Sequence, residues 1–255
     1  MRHAARISMQ AHEAAMRAAR PGVREYELQA ELERVFRAAG AEPAYNSIVG
    51  AGANACVLHY RANRGQARDG DLVLIDAGAE YHGYAADITR TFPANGRFTK
   101  PQRELHDLVD AARAAALEQA RPGVPYEAGH EAAVRVLTEG MLRLGLLKGS
   151  LERNLASGAY KRYYRHKTGH WLGLDVHDVG DYRIDGESRL LEPGMVFTIE
   201  PGLYVPADDT SVAAKWRGIG IRIEDDVAIT KDGHEVLTDG LARSADEIEA
   251  FMAAR

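Results

Sequence analysis

The amino-acid sequence predicts a mixed α+β fold in which two related halves form one domain over residues 1–255. One observation is an internal repeat: the string at 20–23, Arg-Pro-Gly-Val, recurs at 121–124 and lies between two helical segments each time. Another is that residues 70–78 align without a gap with residues 194–202. Each copy is an apolar strand that ends in a carboxylate and a glycine turn. A duplicated half-domain is the simplest interpretation.

Four segments have the composition and periodicity of helices. The first is rich in alanine and ends at a Pro-Gly pair, where helices commonly stop. In the second, Leu28, Leu32 and Phe36 fall on one face. Pro101 opens the third, because proline is favoured in the first helical turn. The predicted helices cover residues 3–20, 28–40, 101–119 and 126–144.

Three short apolar runs predict buried strands, at residues 72–76, 196–200 and 219–224. Residues 81–92 are predicted to form the partner strand of the first run, after a turn at 80–83. Each of the three runs ends in an acidic residue, although carboxylates are depleted in strands and are costly to bury without a partner. These acidic residues therefore need a specific explanation.

The three acidic residues are Asp76, Glu200 and Glu224, and Asp87 on the predicted partner strand is a fourth. Arg222 shares a strand face with Glu224, because side chains alternate along a strand. One arginine does not balance four carboxylates, so divalent cations are the natural counterions. Oxygen ligands with one or two imidazoles suit manganese, cobalt or zinc. A pair of ions bridged by carboxylates fits the number of ligands.

A glycine-punctuated segment supplies the imidazoles. His166, His170 and His177 lie within twelve residues, and spacing alone does not decide which of them binds metal. The remaining histidines outside this segment, apart from His59, are interpreted as surface or structural residues: His3, His12, His82, His106, His130 and His234.

Composition narrows the classes of partner. The net charge is −5 and the basic residues are scattered, so a nucleic-acid partner is not predicted. No apolar run is long enough for a membrane span. The single cysteine, Cys56, rules out a disulfide within the chain and a cysteine-based zinc site, and a cytoplasmic location is expected. The oligomeric state stays open, with a homo-oligomer as one alternative.

The site segments together resemble the catalytic domain of the Xaa-Pro aminopeptidases (aminopeptidase P), which are pita-bread metallopeptidases. The matching strings are LHY at 58–60, GDLVLIDAGAEYHGYAADITRTFP at 70–93, HWLGLDVHDVG at 170–180, LEPGMVFTIEPGLY at 191–204 and RGIGIRIEDD at 217–226. The resemblance extends over nearly the whole chain. It implies the pita-bread fold, a pseudo-twofold arrangement of two half-domains around a curved antiparallel sheet with outer helices.

The resemblance also implies a set of site residues. It implies two metal ions, usually manganese, and hydrolysis of the N-terminal bond before a proline at the second position by a metal-bridged hydroxide. Glu200 would act as the general base, and His177 and His59 would contact the reacting substrate. The implied metal ligands are Asp76, Asp87, His170, Glu200 and Glu224, and the implied substrate-binding residues are His59, His166, His177, Tyr204 and Arg222.

Three alternatives stay open. Prolidase, which cleaves Xaa-Pro dipeptides, uses the same ligand set. Methionine aminopeptidase organises its histidine segment differently, and some pita-bread proteins bind partners without catalysis but lack part of the ligand set. Two departures from the family pattern are visible. The N-terminal domain of full-length relatives is absent from this chain, and Lys167-Thr168-Gly169 replaces an expected Gly-Leu-Ser.

Overall fold

The computed structural model describes residues 1–254, which form six α-helices and thirteen short β-strands. The helices are α1 (Arg2–Ala18), α2 (Glu25–Ala38), α3 (Lys100–Leu117), α4 (Tyr126–Arg143), α5 (Leu151–Ser157) and α6 (Ala245–Ala253). The strands are β1 (Glu42–Pro43), β2 (Ile48–Ala51), β3 (Leu72–Asp76), β4 (Ala79–Tyr81), β5 (Tyr84–Ala85), β6 (Thr89–Pro93), β7 (Arg183–Ile184), β8 (Glu187–Ser188), β9 (Val196–Ile199), β10 (Gly202–Val205), β11 (Ile219–Arg222), β12 (Asp225–Ile229) and β13 (His234–Val236). Across these residues, no helix combines the length and the apolar character that crossing a membrane requires.

Two antiparallel sheets, each covered by its own helices, form the body of the domain. The sheet β2-β3-β6 packs against α1, α2 and the C-terminal α6 around one apolar core. The sheet β13-β12-β9 packs with α3 and α4 around a second core. The predicted α+β class and the four long helices are therefore confirmed. Both Pro-Gly strings lie between paired helices, as the repeat predicted.

The second half also contains a counterpart of β2. Residues 168–172 run beside β9, where the backbone N–H groups of Glu200, Thr198 and Leu172 bond to the carbonyl groups of Thr168, His170 and Val196. In the first half, β2 flanks β3 in the same way. The histidine-bearing segment is thus held by backbone hydrogen bonds against the strand that ends at Glu200.

A backbone bridge between Thr89 and Glu224 joins the two halves. The Glu224 N–H donates to the Thr89 carbonyl at 3.0 Å. Beneath it, the fully buried Arg90 donates to the Glu224 carbonyl at 2.7 Å and pairs with Asp225 at 2.8 Å. Arg113, on α3, pairs with the other oxygen of Asp225. This buried charge cluster fixes the seam between the halves.

Two strand predictions were wrong in extent. Residues 81–92 do not form one strand: β4 and β5 make a tight hairpin, and only β6 pairs with β3. The strand predicted over 219–224 ends at Arg222. Asp87 and Glu224 consequently lie between strands and not within them. Because neither residue is part of a hydrogen-bonded strand, both carboxylates can turn toward the seam, the contact region between the two halves.

Two buried histidines in the helical layers, His12 and His106, should make the stability of the fold decrease at low pH. Burial lowers the pKa of each to about 4. His12 donates to the Ala77 carbonyl at 3.0 Å, whereas neither ring nitrogen of His106 has a hydrogen-bond partner within residues 1–254. Because unfolding restores an ordinary pKa near 6.5, the unfolded chain binds protons first as the pH falls. Stability is therefore fully present above about pH 6.5 and is lost toward pH 4, by roughly 3 kcal/mol per histidine.

Urea unfolding between pH 7 and pH 4.5 tests this prediction. The variant His106→Leu keeps an apolar side chain in the same layer and removes one titrating group, so it should lose less stability over this range than the parent chain. The exposed His3 on α1 provides the matched control, and His3→Leu should keep the parent slope. An unchanged slope in the His106 variant would contradict the argument.

Candidate metal centre

A cleft of about 490 Å³ opens at the seam between the two halves. Its inner end is lined by the predicted metal ligands and its outer part by His59 and His177. One branch continues along α3 and α4, where Ala116, Ala120 and Phe197 contribute apolar surface. The cleft thus joins a strongly polar centre to apolar walls.

Each predicted carboxylate reaches the cleft from the end of a strand or from the segment beside it. Asp76 is the last residue of β3, and Glu200 directly follows β9. Asp87 precedes β6, and Glu224 lies between β11 and β12. Asp87 and Glu224 are almost inaccessible to solvent, with exposures of 5% and 2%. The fold therefore concentrates negative charge where water is scarce.

His170 presents a lone pair to these carboxylates. Its Nδ1 lies 3.0 Å from the Trp171 carbonyl oxygen, which only accepts, so Nδ1 carries the proton. In the neutral ring, Nε2 is then the nitrogen without a hydrogen, and it faces Asp87 Oδ2 at 3.4 Å and Glu200 Oε1 at 3.6 Å. A lone pair opposite two anionic oxygens is repulsive unless a cation lies between them. The backbone carbonyl thus sets the tautomer that metal-binding histidines use.

The pKa shifts of the buried carboxylates also indicate that the cleft needs positive charge. Burial raises the pKa of Asp87 well above its usual range, and nearby Asp76 adds to the shift. Burial also raises the pKa of Glu224, with Asp87 as the next cause. Burial raises the pKa of Glu200 to about 7, although His170 and Arg222 oppose the shift. The described protein groups therefore do not neutralise the cluster fully, and cations are its natural complement.

Three of the five predicted ligands offer donor atoms that all lie within 4.8 Å of one another: Asp87, His170 and Glu224. Glu200 reaches the same group through its contact with His170 Nε2. Asp76 is joined to it through the Tyr45 hydroxyl, which contacts both Asp76 and Asp87. The donor set of carboxylate oxygens and one imidazole fits a divalent cation such as manganese, cobalt or zinc.

Tyr45 is a site residue that the sequence did not reveal. Its hydroxyl lies 2.6 Å from Asp76 Oδ1 and 2.5 Å from Asp87 Oδ1. One hydroxyl therefore ties together the carboxylates that lie on either side of the β4–β5 hairpin. Tyr45 belongs to a segment that looks irregular in the sequence, and no motif or periodicity there indicates its role.

Arg222 is held on all three guanidinium nitrogens. Nη2 donates to Asp76 Oδ2 at 2.5 Å, Nη1 donates to the Tyr204 hydroxyl at 3.0 Å, and Nε donates to Thr89 Oγ1 at 3.0 Å. Thr89 in turn donates to Glu224 Oε2 at 2.6 Å. The arginine therefore pairs with Asp76 and reaches Glu224 only through Thr89. This geometry favours a supporting role for Arg222.

His166 and Tyr204 continue the same hydrogen-bond chain. His166 Nδ1 lies 2.7 Å from the Lys167 carbonyl and must donate to it. Its Nε2 then accepts from the Tyr204 hydroxyl at 2.8 Å, and that hydroxyl accepts from Arg222. Burial lowers the pKa of His166 to about 3, so the ring stays neutral. His166 lines the cleft, whereas Tyr204 is fully buried and does not line it, and the polar atoms of both residues are already engaged.

His59 and His177 differ from His166 in being exposed. The His177 ring packs edge-on against His170, with centroids 4.1 Å apart. Burial and the neighbouring His170 and His59 lower the pKa of His177. Neither ring forms a hydrogen bond within the described residues, so both are available to a molecule that enters the cleft.

A second polar group behind the centre was also missed. His130, on α4, bonds through Nδ1 to Thr168 Oγ1 at 2.7 Å, and Tyr164 contacts the same oxygen at 2.6 Å. Burial lowers the pKa of His130 to about 4. Thr168 is one of the positions at which the sequence departs from the expected Gly-Leu-Ser, and its hydroxyl anchors this group beside the Glu200 backbone.

The chain is similar to known proteins over its whole length. The chain is 51% identical over its whole length to the Xaa-Pro aminopeptidase of Escherichia coli K12, of which it covers 57%. Its fold matches Pseudomonas aeruginosa aminopeptidase PepP with a TM-score of 0.99 and 58% identity, over 100% of this chain and 58% of that one. An E. coli aminopeptidase P variant in complex with substrate matches with a TM-score of 0.96 and 50% identity, over 99% and 57% of the two chains.

These matches confirm the predicted pita-bread fold and the resemblance to aminopeptidase P. The chain spans somewhat more than half the length of the relatives that it matches. The family model described as metallopeptidase family M24 matches residues 1–231. The shared fold, the sequence identity and this match lead to one conclusion: the chain belongs to metallopeptidase family M24.

Proposed function

We propose that this chain is a metal-dependent aminopeptidase that hydrolyses the bond between an N-terminal residue and a proline at the second position. The observation that carries the proposal is that His170 Nε2 faces the carboxylates of Asp87 and Glu200 at 3.4 and 3.6 Å. The similarity to Xaa-Pro aminopeptidases supports the choice of substrate.

The residues that would hold a pair of divalent cations are Asp76, Asp87, His170, Glu200 and Glu224. We propose manganese, because four of these five ligands donate oxygen. Bound there, the cations supply Lewis acidity that activates a water molecule and polarises a carbonyl oxygen. Chelation followed by reloading with manganese, cobalt or zinc, with hydrolysis measured per bound ion, tests the choice of metal.

The side chains of the cleft then divide the remaining work. Glu200 accepts a proton from the attacking water and returns it to the leaving nitrogen. His177, exposed beside His170, donates a hydrogen bond to the carbonyl oxygen as negative charge develops there. His59 closes the other side of the mouth. A proline nitrogen in the scissile bond has no N–H, so an imidazole-lined wall leaves no donor unpaired.

His177→Ala tests the division of roles. Loss of a donor to the developing oxyanion should lower kcat by about a hundredfold to a thousandfold. Metal content should stay near that of the parent chain, because His170 and the carboxylates are retained. His3→Ala, at an exposed position of α1, is the control and should keep parent activity. Equal losses of metal and rate would instead make His177 a metal ligand.

Substrate class is tested with three peptides on the metal-loaded chain. Cleavage of an Xaa-Pro-Xaa tripeptide, without cleavage of an Xaa-Pro dipeptide or a Met-Ala peptide, supports the proposal. Cleavage of the dipeptide alone indicates prolidase, and cleavage of the Met-Ala peptide indicates methionine aminopeptidase. Full metal loading without any cleavage would sink the proposal and favour a binding role.

Three further predictions are outside these assays. A single catalytic domain over residues 1–255 stays a prediction, as does the cytoplasmic location expected from the single cysteine. Cell fractionation tests the location. Light scattering of the purified chain decides between a monomer and a homo-oligomer.

A further inference from the structure

The loop that carries His59 runs from residue 52 to residue 65 and has little regular structure. A short 3₁₀ turn, Gly52–Cys56, opens it, and the remainder has no strand partner of its own. His59 itself is exposed and forms no hydrogen bond in the described part of the chain. Its place in the cleft must therefore be set by other residues of the loop.

Glu25, the first residue of α2, holds this loop at both ends. Its Oε1 accepts from the Ala51 N–H at 2.8 Å and from Asn54 Nδ2 at 2.8 Å. Its Oε2 accepts from the Tyr60 hydroxyl at 2.8 Å and from the Gly65 N–H at 2.6 Å. The Glu25 side chain is 1% exposed, so these four donors replace its hydration.

At the far end of the loop, Gly65 contacts both the backbone and the side chain of Glu25. The Glu25 N–H donates to the Gly65 carbonyl at 3.0 Å, in addition to the side-chain bond. A Cβ atom at Gly65 would lie 2.6 Å from Glu25 Oε1, so any larger residue there would have to displace the Glu25 carboxylate. The loop end and the start of α2 are thus packed backbone against carboxylate.

Both neighbours of His59 are anchored. Tyr60 donates to Glu25, and Leu58 packs against an apolar cluster that contains Tyr204. His59 lies between these two fixed side chains and lines the cleft. Fixing the residues on either side restricts where the imidazole can lie without any bond to the ring.

We propose that Glu25 is a positioning residue that fixes the 52–65 loop and thereby places His59 against the substrate. The inference rests on the proposed function for the identity of the substrate, but the ordering of the loop is independent of it. Glu25 contacts none of the predicted metal ligands through the bonds described, so its effect should pass through the loop and leave the metal centre intact.

Because the Glu25 carboxylate accepts four hydrogen bonds, even the isosteric change to glutamine should disrupt this network. A glutamine at position 25 has one acceptor oxygen and an NH₂ group that faces two donors. One of the two pairs, Ala51 with Asn54 or Tyr60 with Gly65, then loses its acceptor. Glu27, two residues along the same helix, offers a matched control, because glutamine there keeps an acceptor for the Arg24 N–H in the capping box.

The experiment compares the metal-loaded parent chain with Glu25→Gln, Glu27→Gln and Tyr60→Phe. Hydrogen exchange of residues 52–65 is followed by mass spectrometry, and kcat/KM is measured on the Xaa-Pro-Xaa tripeptide. Glu25→Gln should exchange faster in this loop and lose about tenfold or more in kcat/KM at unchanged metal content. Glu27→Gln should match the parent, and Tyr60→Phe, which removes one bond of the four, should fall between them.

A double-mutant cycle with His59→Ala separates positioning from general stability. If Glu25 acts through His59, adding Glu25→Gln to His59→Ala should cause no further loss of kcat/KM. An additive loss, lost metal or unchanged exchange in the loop would overturn the inference. A parent chain that cleaves no peptide would refute the proposed function, whereas the exchange comparison would still decide whether Glu25 orders the loop. Should Glu25→Gln fail to fold, the same comparisons apply to Tyr60→Phe.

Discussion

Asp87→Asn should strip the chain of metal and abolish peptide hydrolysis. Asp87 is buried, its Oδ2 lies 3.4 Å from His170 Nε2, and it shares the Tyr45 hydroxyl with Asp76. An amide removes the negative charge and one of the two oxygens from the group that includes Glu224. Changing a residue that only supports a metal ligand typically lowers metal affinity or activity by about 10- to 100-fold. We expect a larger loss of both for Asp87→Asn. Metal analysis after dialysis and kcat/KM on an Xaa-Pro-Xaa tripeptide measure both effects.

Asp226→Asn is the matched control for this change. Asp226 is equally buried, and both its oxygens lie 3.2 Å from the Asp87 N–H. Asparagine retains an oxygen that accepts this bond, so the control should keep its metal and most of its activity. An Asp87→Asn variant with full metal content and parental rates would disprove the assignment of Asp87 as a ligand.

Gly78→Ala should destabilise the whole domain. Gly78 forms the turn after Asp76, and a Cβ there would lie 1.7 Å from the Ala86 carbonyl oxygen. The clash is with backbone atoms of Ala86 and Asp87, so no side chain can move aside to relieve it. We expect a loss of about 3 kcal/mol or more in the free energy of unfolding. For a chain of this length the melting temperature should fall by roughly 6–12 °C.

Gly233→Ala offers a comparison in which the same methyl group meets no atom within 4 Å. Its melting temperature should stay close to that of the parent chain. Thermal unfolding followed by circular dichroism distinguishes the two variants. A Gly78→Ala protein that melts with the parent would show that the turn relaxes and that the close approach is not required.

The local sequence pattern was sufficient to predict the helices and the strands that end in an acidic residue. The apolar run before Asp76 and the one before Glu200 become β3 and β9, as their composition predicts. Pattern was insufficient at Asp87 and Glu224, because the points where the chain leaves a sheet depend on pairing between segments far apart in sequence. Thr89 and Glu224, which form the bridge, are separated by 135 residues.

The residues that support the centre were hidden for the same reason. Tyr45 and Glu25 lie outside the strings that resemble the family, and the contacts of Tyr45, Thr89 and Glu25 all depend on hydrogen bonds to segments far away in sequence. Arg222 was expected near Glu224 because both lie on one strand face, but its shortest bond is to Asp76, 146 residues away. Only the assembled structure gives such pairings.

The seam between the half-domains has a thermodynamic consequence. Asp76 and Asp87 come from one half, and His170, Glu200 and Glu224 from the other, so an ion held by both sets crosslinks them without a covalent bond. Ion binding and global unfolding are then linked equilibria, and the midpoint of denaturation rises with the concentration of free cation. Neither half can open alone without releasing the ion, so loading should merge their unfolding into a single cooperative transition.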